Sequence, residues 1–262
     1  MNEVIASTQN KFIKEAAQLQ SSKFRKKLGK FILEGAAYIS DTSAIHVEYL
    51  LVSHSRREEY PELCKIHTYR IVSDKLMAQL SDTVTPQGVL AVCRQPSHSA
   101  DELAARGGLY LICEDVRDPG NLGTIIRTAA AAGVSAIFTT CGCADLYSSK
   151  VVRASSGAIF SVPAVQCDNA DELVRLLQNK RVHIVATHLK AERLPYDLDL
   201  RGDCAIIIGN EAHGVSDSLA RQCDALIKLP MPGNVQSLNA SVAAGIIIYE
   251  SLRQRITLDD NI

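Results

Sequence analysis

Three short stretches of this 262-residue chain hold the side chains and backbone freedom from which a chemical site could be built. The first is Asp118-Pro119-Gly120-Asn121-Leu122-Gly123-Thr124-Ile125-Ile126-Arg127, a strong turn signal running into an alanine-rich helical pattern that ends at Gly133. Asn121 can cap that helix, and Arg127 lies nearly two turns further on. The second, Ile208-Gly209-Asn210-Glu211-Ala212-His213-Gly214-Val215-Ser216, takes a buried apolar run into a glycine-bearing loop. Glycines there let the backbone approach a ligand, and loop amides can bind it. The third, Leu229-Pro230-Met231-Pro232-Gly233-Asn234-Val235-Gln236-Ser237-Leu238-Asn239, is a stiff loop before a final helix, with Ser237 or Asn239 available as its cap. Taken singly, each has a plain structural reading: a cap, a surface charge, or, for Glu211, a first-turn charge favoured by the helix dipole.

The glycines fit neither the dinucleotide fingerprint nor a Walker loop, since the spacing and the lysine are both missing. The eight cysteines are scattered, several inside apolar runs, and are read as small buried hydrophobes. Cys141 and Cys143 form the only close pair, without a second pair or a spaced histidine to complete a zinc site, so no metal is expected. His188 and His213 lie near the second turn but are isolated and receive no role.

The elements that must position these turns alternate strand with helix from Leu109 onward. Leu109–Cys113, Ala136–Thr140, Val182–Thr187 and Ala205–Ile208 read as strands, near-continuously apolar as buried parallel strands should be. Helices are expected over Lys150–Ser155 and Leu238–Arg253, the latter with apolar positions at Leu238, Val242, Ile246, Tyr249 and Leu252. In a parallel α/β fold, ligands sit outside the carboxyl ends of the strands, where these turns fall. Before them, a helix over Asn10–Leu28, an apolar-rich Lys30–Ile39, strands near Val47–Val52, Ile66–Val72 and Gly88–Cys93, and a helix at Asp74–Leu80 make a smaller α/β module. The polar stretch Arg94–Ala100 reads as a connection, dividing the chain into residues 1–100 and 101–262.

Apolar residues make up 47% of the chain and charged ones 22%, the balance of an ordinary globular protein rather than a disordered one. The N-terminus lacks the apolar core of a secretory signal, and no apolar run is long enough for a bilayer; a cytoplasmic protein with no membrane association is expected. Net charge is only −1, but Lys11, Lys14, Lys23, Arg25, Lys26, Lys27 and Lys30 are opposed locally by Glu15 alone. Such a segment could meet phosphates, or be a solvated helix face.

In this order and at these separations, Asn121-Leu122-Gly123-Thr124-Ile125-Ile126-Arg127, Gly209-Asn210-Glu211 and Ser237-Leu238-Asn239 resemble the signature of the SpoU (TrmH-like) RNA methyltransferases of the SPOUT superfamily. The resemblance covers roughly Leu109 to Arg253, and Arg153-Ala154-Ser155-Ser156-Gly157-Ala158 also looks like a family segment. Phe31-Ile32-Leu33-Glu34-Gly35 and the α/β pattern after it resemble the substrate-binding module that precedes the methyltransferase domain in many members. One departure is Ala212, which stands where many relatives carry glycine.

The resemblance implies an α/β fold: a C-terminal parallel-sheet domain with a deep C-terminal trefoil knot, an exception to the usual connection rules, behind a small α/β substrate-binding domain. It implies a homodimer, and S-adenosyl-L-methionine held around Thr187, Gly209, Asn210, Gly214, Leu229, Met231 and Leu238. Glu211, Ser237 and Asn239 would shape the site, with Asn121 and Arg127 addressing the acceptor nucleotide. The implied reaction is transfer of a methyl group to a ribose 2′-hydroxyl of RNA, the group that distinguishes RNA from DNA. Family proposals make the equivalent of Arg127 the base. Because a guanidinium stays protonated, the other reading has Arg127 bind the adjacent phosphate and stabilise the developing alkoxide, while a phosphate oxygen or water takes the proton. An appended N-terminal module favours large-subunit ribosomal RNA over transfer RNA as substrate. Two competing classes are a nicotinamide-dependent oxidoreductase, which lacks its fingerprint here, and a non-catalytic RNA-binding or ribosome-assembly protein on the same fold.

Overall fold

Contacts divide the chain into two units, one made of Met1–Pro96 with Tyr147–Gly157 and the other of Ser97–Leu146 with Ala158–Ile262. The computed structural model describes residues 3–42, 45–235 and 237–256.

The first unit runs α1 (Lys11–Gln18), α2 (Ser22–Leu28), β1 (Lys30–Glu34), α3 (Ala36–Asp41), β2 (Val47–Ser53), α4 (Pro61–Ile66), β3 (Tyr69–Val72), α5 (Asp74–Leu80) and β4 (Val89–Arg94). Its sheet has the order β1-β4-β2-β3, with β4 antiparallel to both neighbours and β2 parallel to β3. Ile13, Ala16 and Leu19 of α1 and its end recur at helical spacing and pack with Leu76, Met77 and Leu80 against Tyr49, Leu51, Leu90 and Val92 of the sheet. The single helix expected over Asn10–Leu28 is broken in two. Arg25 folds back so that its Nη1 donates to the carbonyls of Leu19 and Gln20, at 2.8 and 2.9 Å, satisfying oxygens that a continuous helix would have used itself. Gly29 then takes φ 61°, the left-handed conformation that ends α2 and starts β1.

The second unit continues with α6 (Ala100–Ala104), β5 (Leu109–Cys113), α7 (Pro119–Ala131) and β6 (Ala136–Thr139). The next helix, α8 (Ser149–Ala154), belongs with the first unit, where the Tyr147 ring packs 5.0 Å from that of Phe31. The chain then forms β7 (Ala164–Gln166), α9 (Ala170–Asn179), β8 (His183–Thr187), β9 (Cys204–Ile208), α10 (Asp217–Ala220), β10 (Ala225–Ile227) and α11 (Ala240–Arg255). These six strands are all parallel, in the order β10-β8-β9-β5-β6-β7. β5 and β9 are buried along their whole length, as a sheet covered on both faces requires. β7 and β10 were not expected: three residues are too few to show a period. α9 was also missed, although Leu173, Val174 and Leu177 recur at helical spacing behind the Asn169 cap.

The apolar positions read along the final helix are not its buried ones. Ala244, Ile247, Ile248 and Ser251 face the core, whereas Val242 (50% exposed), Ile246 (38%) and Tyr249 (51%) form a second apolar stripe open to solvent. Gly245 faces α7, where an added Cβ would sit 3.7 Å from the methyl of Thr128.

Candidate functional site

Strand order decides which turns meet. From β5 the chain builds outward through β6 and β7, then crosses to β8 and inserts β9 between β8 and β5. The direction of building therefore reverses at the β5/β9 boundary, the place where open parallel sheets leave a crevice beyond their carboxyl ends. The turn after β5 and the turn after β9 lie side by side there, and the loop after β10 closes over from the far edge.

α7 is started by Asp118, whose Oδ1 accepts the Asn121 amide at 2.7 Å, followed by Pro119 at the first helical position. The cap is thus Asp118, not Asn121, and the Asn121 carboxamide is left for other work. Its Nδ2 donates to Glu211 Oε1 at 2.9 Å, and its Oδ1 accepts from Asn239 Nδ2 at 2.9 Å. Asn239 is meanwhile the cap of α11, its Oδ1 accepting the amides of Ser241 at 2.9 Å and Val242 at 3.4 Å. One continuous hydrogen-bond path, Asn239 to Asn121 to Glu211, thereby joins the first turn to two others that lie 90 and 118 residues further along the chain.

The loop carrying Glu211 is held from both sides. Asn210 and Gly214 exchange backbone bonds at 3.0 and 2.9 Å, and Asn210 Oδ1 accepts the amides of Ala212 and His213. Asn210 Nδ2 donates to the carbonyl and to the carboxylate of Asp115, at 2.9 and 3.1 Å. Asp115 itself sits at φ 54°, uncommon for a residue with a side chain. Its Oδ1 accepts from Arg117 Nε at 2.9 Å, and that bond raises the Arg117 pKa. Glu114 Oε2 accepts the Ser216 amide at 2.8 Å. At Gly209 there is no room for any side chain: a Cβ would lie 2.1 Å from the carbonyl carbon of Gly214 and 2.2 Å from the nitrogen of Val215.

Beside this frame lies a cleft of about 250 Å³. Thr187, Gly209, Asn210, Glu211, Gly214, Leu229, Met231, Ser237 and Leu238 all line it, so the structure gathers both the expected cofactor residues and two of the expected catalytic ones. Asn121 and Asn239 stand outside the lining but are bonded to Glu211 within it through the path above. Arg127 is exposed further along α7 and is not part of the cleft wall. Gln236 lies outside the described residues. Ile208, Ile227, Leu229, Leu238 and Ala243 give the cleft an apolar side, while Glu211 and Lys228 bring charges of opposite sign. That combination fits S-adenosylmethionine: apolar walls and bare backbone for a purine, and an acid and a base for a tail that carries cationic and anionic groups. It does not fit a dinucleotide, because the turn after β5 opens with Glu114 and Asp115 rather than with a glycine cradle for pyrophosphate.

Sequence reading gave no role to Glu114, Asp115, Asp118 or Lys228, and His188, noted near the second turn but left without a role, lines the cleft. Asp118 was legible as an acid directly before a proline, the usual order at a helix start. The others carry no local signal, since their importance comes from partners 95 and 102 residues away or from the folding of a loop onto a neighbouring strand. Among the described residues, no group of three or more His, Cys, Asp or Glu side chains is placed to hold a metal ion.

A fully parallel sheet with a cleft of nucleoside size at its switch point makes this an α/β protein of the kind that binds a nucleoside-bearing ligand beyond its strand ends. Residues 108–249 match the SpoU rRNA Methylase family, and residues 10–91 match the MRM3-like substrate binding domain. The chain belongs to the SpoU rRNA methylase family. It is 33% identical over 247 residues to the 23S rRNA (guanosine(2553)-2′-O)-methyltransferase RlmP of Bacillus subtilis, covering 94% of this chain and 97% of that one. Among solved structures it resembles the SpoU methyltransferase AviRb from Streptomyces viridochromogenes in complex with AdoMet (TM-score 0.86, 29% identity, 94% and 98% of the two chains). It also resembles the AdoMet-bound rRNA methyltransferase from Sinorhizobium meliloti (TM-score 0.85, 28% identity, 97% and 99%).

Proposed function

We propose that this protein transfers a methyl group from S-adenosylmethionine to the ribose 2′-hydroxyl of a nucleotide in large-subunit ribosomal RNA. The observation that carries the reading is the bonded path from Asn239 through Asn121 to Glu211, which ties all three turns to one cleft. The cofactor, when bound, supplies a methyl on a sulfonium whose thioether leaves uncharged, so the protein's task is alignment and removal of one proton. Gly209, Leu229, Met231 and Leu238 bind the cofactor against bare backbone and apolar side chains, with Thr187, Asn210 and Gly214 setting the loop shape. Glu211 is a positioning residue, since a carboxylate repels phosphates: it fixes the Asn121 amide. Ser237 shapes the cleft wall, and Asn239 starts α11 while orienting Asn121. Arg127 holds the acceptor's phosphate and stabilises the developing alkoxide; always protonated, it does not act as the base, and a phosphate oxygen or water takes the 2′-hydroxyl proton.

The N-terminal unit is the RNA-positioning part in this reading, as the matched substrate binding domain supports. The exposed stripe of Val242, Ile246 and Tyr249 on α11 supports a homodimer, because a helix apolar on two faces has a second surface to bury. Family membership and the packing of α11 beside α7 support a trefoil knot in which the C-terminal helix is threaded. No helix among the described residues is long and apolar enough to cross a membrane, and a cytoplasmic place of work is part of this reading, in keeping with the bacterial 23S rRNA enzyme among the relatives.

The test is transfer of labelled methyl from S-adenosylmethionine to ribosomal and transfer RNA taken from cells lacking the protein, followed by alkaline hydrolysis. A 2′-O-methyl group blocks cleavage at its own nucleotide, so a labelled alkali-resistant dinucleotide from 23S RNA is expected. Label in transfer RNA alone would move the substrate class, and binding of cofactor without label in either would leave the assembling particle as substrate.

A further inference from the structure

The N-terminal unit carries a groove of about 810 Å³ between α1 and the end of the sheet where β1 begins beside the end of β4. Its wall includes Lys11, Phe12, Lys14, Lys30, Tyr49 and Arg94, together with two acids, Glu15 and Glu48. Both acids are already satisfied from inside the unit. Lys30 Nζ lies 2.7 Å from Glu15 and 2.6 Å from Glu48, Arg94 Nε lies 2.7 Å from Glu48, and the Tyr49 hydroxyl donates to Glu15 at 2.7 Å. Burial, then the neighbouring Glu15 carboxylate, pushes the Tyr49 pKa up and keeps that hydroxyl a donor. Lys30 and Arg25, counted in the basic segment by sequence, are therefore occupied, the latter by carbonyls of the α1 end.

What the groove offers outward is different. Lys11 and Lys14 have no carboxylate partner among the described residues. Half-buried Phe12 packs edge-on against Tyr49, with ring centroids 5.0 Å apart. The Lys11 ammonium lies 5.0 Å and the Arg70 guanidinium 4.7 Å from the centre of the Phe12 ring. Cations gathered around an aromatic ring, in a groove whose acids are neutralised internally, match the chemistry of a single strand. Its phosphates take the ammonium groups, and its unstacked bases lie on ring or guanidinium planes. A duplex could use the lysines but has no open base face to present.

We infer that this groove seats a single-stranded stretch of the RNA substrate, with phosphates on Lys11 and Lys14 and an unstacked base against Phe12. The inference rests on the reading that the protein modifies RNA. The test is fluorescence anisotropy of the full chain with a labelled single-stranded oligonucleotide from the methylated region and with the same sequence in duplex form, over a series of salt concentrations. Lys11→Gln with Lys14→Gln should weaken single-strand binding and lower the slope of log affinity against log salt by about 1.4, roughly 0.7 for each ammonium–phosphate pair removed. Phe12→Leu should keep the slope, lose about tenfold in single-strand affinity and leave duplex binding unchanged, while Phe12→Tyr should retain affinity. Lys65→Gln, whose ammonium is paired with Glu62 at 2.7 Å elsewhere on the unit, should bind as wild type. All variants should stay folded and keep wild-type S-adenosylhomocysteine affinity, with Phe12→Leu melting somewhat lower because it loses the ring packed on Tyr49. Unchanged affinity and slope in the lysine variant would overturn the proposal, as would equal weakening of single strand and duplex by Phe12→Leu. Absence of methyl transfer by the wild-type chain to any RNA or particle would instead remove the functional reading itself.

Discussion

Replacing Gly209 with alanine tests the cleft at its tightest point. An alanine Cβ would lie 2.1 and 2.2 Å from backbone atoms of Gly214 and Val215, so the two strands of the loop must part by roughly 1.3 Å to regain ordinary contact. Both flanking elements are backbone, so no flexible side chain can give way. Parting them breaks the two Asn210–Gly214 hydrogen bonds, at 3.0 and 2.9 Å, each worth about 1 kcal/mol, and disturbs the amides held by the Asn210 side chain. The loop proposed to hold the cofactor is then about 2–4 kcal/mol less stable in its binding shape, which predicts roughly 30- to 1000-fold weaker cofactor binding. Isothermal titration with S-adenosylhomocysteine reads that loss directly. Gly214→Ala is the internal comparison: it meets nothing within 4 Å, but its φ of +70° charges a side chain about 1–2 kcal/mol, so it should weaken binding less. Gly233→Ala, in open space, should change nothing. A Gly209→Ala protein that binds within a factor of three of wild type would refute the assignment of this loop as the cofactor wall.

Arg127→Ala should nearly abolish methyl transfer in a single-turnover assay while sparing cofactor affinity; wild-type turnover would sink its role. Asn239→Ala removes the α11 cap and the bond to Asn121 together, so thermal or denaturant unfolding should show a loss of about 1–2 kcal/mol. Tyr249→Asp or Val242→Asp should shift the protein to monomer in sedimentation velocity, and an unchanged sedimentation coefficient would locate any dimer elsewhere. A thiol reagent at neutral pH should label exposed Cys141 first. Burial pushes the Cys167 thiol up to about 11 and those of Cys204 and Cys223 up to about 12, and fast labelling of native Cys204 would contradict that environment.

Much of the second unit was legible because its long apolar strands and its turns leave local signals. Leu109–Cys113 falls on the same residues in sequence and structure, as does Asp74–Leu80 in the first unit. The three turns could be picked out from residue types, yet their meeting could not, since it depends on β9 entering between β8 and β5. Asn121 shows the limit well. Its type allowed a cap, and only the placement of Glu211 and Asn239 reveals that its carboxamide links the other two turns. Composition likewise counted seven cations between Lys11 and Lys30 without distinguishing Lys30 and Arg25, which the fold uses internally, from those that face solvent.

Helix α8 bears on how the protein is made. Its Val151 and Val152 are buried, Tyr147 stacks near Phe31, and Ser149 bonds Asp82, all within the N-terminal unit. A nascent chain emerging from the ribosome therefore cannot complete that unit at Pro96. It must wait until Gly157 has cleared the exit, by which time β5, α7 and β6 are already outside. Domains usually mature one after another during synthesis. Here the first waits on the second, so a fragment cut at Pro96 would expose the Phe31 side of β1 and be prone to aggregate.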